Sequence, residues 1–224
     1  MIKDLLNLLY PETCLGCNSL LQTGEVVLCT GCRHQLPLTN HHLITENDAY
    51  KRLAGKVDVQ QAMSMLIFEK GGVVQEIIHK LKYKGNQEIG SFLGEWYAEI
   101  IKDKLLNIDC IIPVPLHKKR LRKRGYNQVD TFCETLSKGL HIPLNKDILI
   151  RTSNSRSQAR QNFLGRTSVN KEIFDVKFTE THTDKHFLLV DDVLTTGTTI
   201  EQCAKALLKI PNTKISIVVM ALTF

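Results

Sequence analysis

Phe187-Leu188-Leu189-Val190-Asp191-Asp192-Val193-Leu194-Thr195-Thr196-Gly197-Thr198-Thr199 is the stretch on which the reading of this chain turns. Four apolar residues without a polar break suit a strand buried on both faces of a parallel sheet. Such sheets bind ligands beyond the carboxyl ends of their strands, which is where Asp191 and Asp192 are expected. Gly197 lets the backbone turn sharply among the hydroxyls of Thr195, Thr196, Thr198 and Thr199. Ile200, Cys203, Ala204, Leu207 and Leu208 follow at helical spacing, so the loop delivers free N–H groups at a helix start, where a phosphate dianion is favoured. Carboxylates repel phosphate; their natural partners are the cis diol of a ribose or a Mg2+ ion. The stretch reads as a sugar-phosphate cradle, against the plainer alternative of a solvated acidic strand end and a threonine-rich turn.

Other phosphate sites and acid pairs fail on the residues present. There is no Gly-Lys-Ser or Gly-Lys-Thr, as a Walker loop requires, and no G-x-G-x-x-G. A receiver domain opens with a similar strand and two acids but needs about a hundred further residues, and only 32 follow Asp192. An aspartyl phosphatase wants an acid two residues after its nucleophile, whereas Val193 and Leu194 follow the pair.

Working outward, the rest of the chain from Ala62 alternates strand and helix patterns. A strand is expected over residues 62–68, helices on the stripes Val73 to Leu81 and Ile89 to Ile101, and a proline-stopped strand at Cys110-Ile111-Ile112-Pro113. A helix from about Asn127 to Leu140 and a last strand from Ile215 to Leu222 complete a doubly wound, mainly parallel α/β sheet. The polar stretch from Thr39 to Asp58 divides residues 1–55, an N-terminal helix and cysteine module, from a sheet domain over residues 60–224.

The module carries Cys14-Leu15-Gly16-Cys17 and Cys29-Thr30-Gly31-Cys32, two matching knuckles eleven residues apart. That spacing predicts a tetrahedral four-thiolate Zn2+ site, Cys14, Cys17, Cys29 and Cys32, with no coordination position open for chemistry. The site is structural, a zinc-ribbon-like module whose folding depends on its metal. Seven cysteines and no export signal disfavour disulfides. Cys110, Cys133 and Cys203 lie in apolar contexts as core residues.

With 43% apolar and 23% charged residues the composition is globular, and no apolar run approaches the length of a membrane span. Membrane insertion is excluded and a cytoplasmic location expected. Ile2, Leu5, Leu6 and Leu9 form one helical face, read as docked on the protein itself. Six positive residues in eight, Lys118, Lys119, Arg120, Arg122, Lys123 and Arg124, match the whole formal excess of +6. They follow a strand end on the edge where the phosphate loop also belongs, so pyrophosphate is a natural ligand. Lys119, Arg122 and Lys123 are expected in a solvated loop. Such a run also suits the backbone of a nucleic acid. Between Arg151 and Asn170 four arginines occur with no acid, a composition shared by mobile lids and plain connections.

The thirteen-residue segment resembles the phosphoribosyl pyrophosphate (PRPP) signature of type I phosphoribosyltransferases. Together with the four cysteines, Pro113-Val114-Pro115-Leu116, Arg120, Arg124-Gly125-Tyr126-Asn127-Gln128, Gln158, Leu164, Arg166 and Asn170, it is similar to the ComF family of competence-associated proteins over nearly the whole chain. The resemblance implies a Mg2+-dependent transfer of phosphoribose from PRPP with release of pyrophosphate. Asp191 and Asp192 would hold the ribose hydroxyls as the catalytic acids, and Thr195, Thr196, Gly197, Thr198 and Thr199 the 5′-phosphate. Arg120 and Arg124 would meet pyrophosphate, with Arg160 and Arg166 on a closing lid. Purine-salvage relatives commonly carry an acid at the position of Thr195; its absence leaves the acceptor open. Three functions follow: a transferase, a non-catalytic PRPP-binding adaptor of the competence machinery that docks a helicase or another DNA-uptake protein, and a single-stranded-DNA-binding accessory.

Overall fold

The computed structural model describes residues 11–105, 107–152 and 173–224. Its main sheet has four parallel strands in the order β1 (Gln61–Phe68), β6 (Lys214–Thr223), β5 (His186–Leu194) and β2 (Cys110–Pro113). An antiparallel pair, β3 (Leu149–Arg151) and β4 (Phe174–Val176), stands beside it. The expected doubly wound α/β architecture is present.

Along residues 187–190 of β5 and 217–220 of β6, period-two alternation sorts side chains between two cores. Leu188, Val190, Val218 and Met220 face one side, under α3 (Val73–Tyr83), α4 (Glu88–Ile101) and α6 (Asp130–Leu140). Phe187, Leu189, Ile217 and Val219 face the other, under α2 (Asp48–Leu53), α7 (Thr198–Leu207) and the β3–β4 pair. Helix α4 lies close on α6 through Gly94, where a Cβ would stand 2.7 Å from Phe132 O. Any larger residue there forces the helices apart.

The cysteine module packs on the first core. Helix α1 (Thr30–His34) begins at Cys29, whose sulfur accepts from the Cys32 N–H, and Cys14, Leu28, Cys32 and Leu36 are buried with Ile77 and Leu81. Arg33 lies over the rings of Phe92 and Trp96, 5.6 and 5.0 Å from their centroids. Residues 37–39 then run along β1, with Thr39 N–H donating to Met65 O and Ile67 N–H to Pro37 O. The polar stretch after them is built rather than loose: α2 is capped by the Asn47 side chain and buries Ala49 and Leu53.

Three expectations are corrected. The strand at 187–190 continues through both acids to Leu194, because β6 pairs with it as far as Leu194 opposite Leu222. The basic run is helical, α5 (Lys118–Arg124), with the His117 side chain accepting at its start and Gly125 at φ 86° ending it. The helix expected from Asn127 begins at Asp130.

Candidate functional site

The two edges of β5 end at different places, and this makes the site. On one side β2 stops with Pro113 opposite Val190, the Val114 N–H donating to Val190 O at 2.8 Å. On the other, β6 holds β5 for four more residues. Asp191 and Asp192 thus sit on rigid sheet backbone yet border open space where β2 has ended. A cleft of 280 Å³ opens there, lined by Lys82, Tyr83, Val114, Pro115, Leu116, Arg120, Arg124, Gln128, Arg151, Asp191, Asp192, Val193, Thr195 and Thr199.

The two acids are neighbours on one strand but have different partners. Asp192 meets Lys82 from α3, with Nζ 3.0 Å from Oδ2. Asp191 accepts the Asp192 N–H through Oδ1 at 2.8 Å. Burial, and secondly the charge of Asp192, push its carboxyl up to about 8, against the pull of Lys82 and Arg151. A hydroxyl-bearing ligand that donates to this carboxylate would favour its ionised form.

The loop after the strand is open. Thr195, Thr196, Thr198 and Thr199 are exposed, and the Thr196 and Thr198 hydroxyls are 3.0 Å apart. Gly197 has φ 85° and caps α7, whose first-turn N–H groups face away from any intrahelical acceptor. Leu53 lies beneath it, 3.1 Å from where a Cβ would stand. Behind the loop, Arg52 Nη1 donates to Thr195 O at 2.6 Å and Lys56 Nζ to Thr196 O at 2.9 Å.

Cations face the acids across the cleft. Arg120 on α5 lines it, and Arg124 hydrogen-bonds Gln128 Oε1 and lies 5.3 Å from the Tyr83 ring centroid. Arg151 ends β3 over the ring of Phe174, and among the described residues its buried Nε has no hydrogen-bond partner. Burial, then repulsion from Arg120, lowers its pKa. The segment Tyr126-Asn127-Gln128 fastens the cleft's frame: Tyr126 OH donates to Leu81 O and Asn127 Nδ2 to Val114 O at 3.0 Å.

Of the residues expected from sequence, Asp191, Asp192, Thr195, Thr199, Arg120 and Arg124 line this one cleft, with Thr196, Gly197 and Thr198 on the adjoining loop. Arg160 and Arg166 lie outside the described residues. Sequence reasoning left out Arg52 and Lys56, and left Lys82 and Arg151 out of the ligand set. The signal for Lys82 was a cation in the last turn of an amphipathic helix, which by itself looks like ordinary solvation.

The four thiols of Cys14, Cys17, Cys29 and Cys32 converge within 4.8 Å of one another. Backbone N–H groups of Gly16 and Cys29 point at Cys14 Sγ, at 3.3 and 3.2 Å, as they do around a thiolate. Hydrogen bonds from Ser19 pull the Cys17 thiol down to about 6, while burial pushes the Cys32 thiol up. A Cβ on Gly16 would stand 2.8 Å from Cys32 Sγ, so glycine is what lets the knuckles close. Soft sulfur donors in a closed set of four fit one tetrahedrally bound metal ion.

Residues 131–222 match the model of the phosphoribosyl transferase domain. The chain is 30% identical over 225 residues to the DNA utilization protein YhgH of Escherichia coli O157:H7, covering 90% of this chain and 93% of that protein. It is 27% identical over 208 residues to competence protein F of Haemophilus influenzae, covering 88% and 91%. It is 26% identical over 209 residues to competence protein ComFC of Bacillus subtilis, covering 90% and 81%. An open threonine loop at a helix start, two acids on the neighbouring strand and near-full-length kinship with these proteins agree: the chain belongs to the ComF family of competence-associated proteins, with a phosphoribosyltransferase-type domain.

Proposed function

We propose that the cleft binds PRPP with Mg2+ and that the chain transfers its phosphoribosyl group to a nucleophile, in the service of DNA uptake and in the cytoplasm. The observation that carries this is the juxtaposition, in one cleft, of two strand-borne acids, an unplugged helix-start loop and cations from α3, α5 and β3. The 5′-phosphate suits the N–H groups of α7 and the hydroxyls of Thr195 to Thr199. The ribose diol suits the Asp191 and Asp192 carboxylates, and the pyrophosphate suits Arg120 and Arg124. Mg2+ would be held by the hard oxygens of the pyrophosphate and the acid pair, where it would offset charge on the leaving group. In the transfer, a bond forms from the nucleophile to ribose C1 as the C1–oxygen bond breaks, the electron pair leaving on pyrophosphate. Positioning and preorganised charge carry such a reaction. The four-cysteine module holds Zn2+ as a structural ion.

Calorimetry with PRPP and Mg2+ tests the reading. Wild type should give a saturable signal that Asp191→Ala/Asp192→Ala abolishes; a silent wild type overturns it. Pyrophosphate release over a panel of bases, amines and nucleotides then separates a transferase from a PRPP-binding adaptor.

A second reading rests on α5. Lys118, Lys119, Arg122 and Lys123 are exposed on this short helix, a cationic surface suited to the backbone of single-stranded DNA. Reversing the charge of Lys119, Arg122 and Lys123 should weaken salt-dependent binding to single strands while leaving PRPP binding intact.

A further inference from the structure

The segment that joins the cysteine module to the sheet reaches the phosphate loop from behind, through partners 143 and 140 residues away in sequence. Helix α2 is fixed in the second core by Ala49 and Leu53, both fully buried. Three successive contacts follow. Arg52 Nη1 donates to Thr195 O at 2.6 Å, Leu53 forms the floor beneath Gly197, and Lys56 Nζ donates to Thr196 O at 2.9 Å. Arg52 also reaches Thr223 Oγ1 at 3.4 Å, so one guanidinium ties the loop to the end of the neighbouring strand β6.

The direction of these bonds matters. A carbonyl captured on the outer side fixes its peptide plane, and with it the N–H of the next residue, which points the opposite way within that plane. In the loop of residues 195–197 those N–H groups and the following helix start are what a phosphate would meet. Unlike the cleft cations, Arg52 and Lys56 are absent from the cleft lining, so they work through the backbone.

We propose that Arg52 and Lys56 are positioning residues of the phosphate loop: they grip the carbonyls of Thr195 and Thr196 and hold the loop's N–H groups aimed at the ligand. The connecting segment is thus a working part of the 5′-phosphate subsite. This rests on the PRPP reading of the cleft. It makes a distinction that general loss of structure does not, because pyrophosphate would be met by Arg120 and Arg124, which line the cleft, whereas Arg52 and Lys56 do not.

The test compares wild type with Arg52→Met and Lys56→Met, each keeping its apolar stem, for binding of ribose 5-phosphate and, separately, of Mg2+-pyrophosphate. Ribose 5-phosphate should bind about tenfold or more weakly to Arg52→Met, several-fold more weakly to Lys56→Met, and pyrophosphate equally to all three. Equal weakening of both ligands, or of neither, overturns the proposal. A ligand-free measurement separates its failure from that of the PRPP reading. The Glu201 amide, which donates to Gly197 O at 2.8 Å, should exchange hydrogen faster in both variants. If wild type binds no ribose phosphate, the PRPP reading fails while this exchange rate still decides whether Arg52 and Lys56 hold the loop; an unchanged rate overturns that as well. Should Arg52→Met fold poorly, the exposed Lys56 still decides the matter.

Discussion

Lys82 Nζ lies 3.0 Å from Asp192 Oδ2, so one of two adjacent acids has its own countercharge in the free protein. Asp191, its neighbour on the same strand, has the more distant fields of Lys82 and Arg151 instead, and burial outweighs them. Two neighbouring carboxylates of identical chemistry therefore have different immediate partners, which gives each a separate experimental signature.

Lys82→Met should leave the carboxylate of Asp192, whose side chain is 8% exposed, without its partner. The expected cost is about 1–3 kcal/mol, since open water in the cleft recovers part of the lost interaction. Urea denaturation at pH 7.5 reads it. The double change Lys82→Met/Asp192→Asn should recover most of the loss, and a single variant as stable as wild type would contradict the pairing.

The raised pKa of Asp191, about 8, sets the sign of a pH effect. Between the ordinary carboxylate range and about 8 the folded chain keeps a proton that the unfolded chain has released. The contribution of this group to stability is fully present below that ordinary range and is lost as pH rises towards the folded value. Its slope approaches about 1.4 kcal/mol per pH unit inside the window. Denaturation midpoints from pH 5 to 9 should fall more steeply for wild type than for Asp191→Asn, and the variant should be the more stable of the two at the alkaline end.

Gly197→Ala combines two penalties: a left-handed backbone at φ 85° and a methyl 3.1 Å from Leu53 Cδ2. A loss of about 1–2 kcal/mol is expected from the conformation alone. Because Leu53 is fully buried in the core, the strain should move the loop rather than the floor. Ribose 5-phosphate titration should show weakened binding even at temperatures where the variant is fully folded.

Metal analysis should find one zinc ion per chain, and Cys32→Ser should remove it. Cys32 is buried in the same core as Leu81, in the last turn of the helix that carries Lys82. Its loss should lower the thermal midpoint by several degrees, an effect of about 1–3 kcal/mol in a domain of this size. A metal-free wild type with an unchanged midpoint would refute the structural role of the ion.

Much of the sheet was legible because its signals are local. The run Phe187 to Val190 has no polar break, and the stripes at Val73 to Leu81 and Ile89 to Ile101 repeat at helical spacing. The end of β5 was not legible, since Asp191 and Asp192 look like a strand terminus until β6 is known to continue beside them. Helix α5 was hidden by its charge: six cations in eight residues suggest repulsion and solvation, whereas His117 and Gly125 cap a helix there. The acids and threonines were picked out by motif spacing, and Arg120 and Arg124 by the family resemblance. Arg52 and Lys56 went unnoticed, and Lys82 was named only as an extra charge from another side, because their partners lie on distant elements, so no window of sequence contains both ends of the interaction.

The order of strands has a consequence for synthesis on the ribosome. β1 takes its sheet partner from β6, Gln61 opposite Ser216, and β5 reaches β1 through that same strand. Until residues 214–223 have been translated and have left the exit tunnel, the halves of the sheet cannot join and their apolar edges stand open. A nascent chain arrested before that point should need a chaperone to stay in solution, and release of the last strand should trigger cooperative closure.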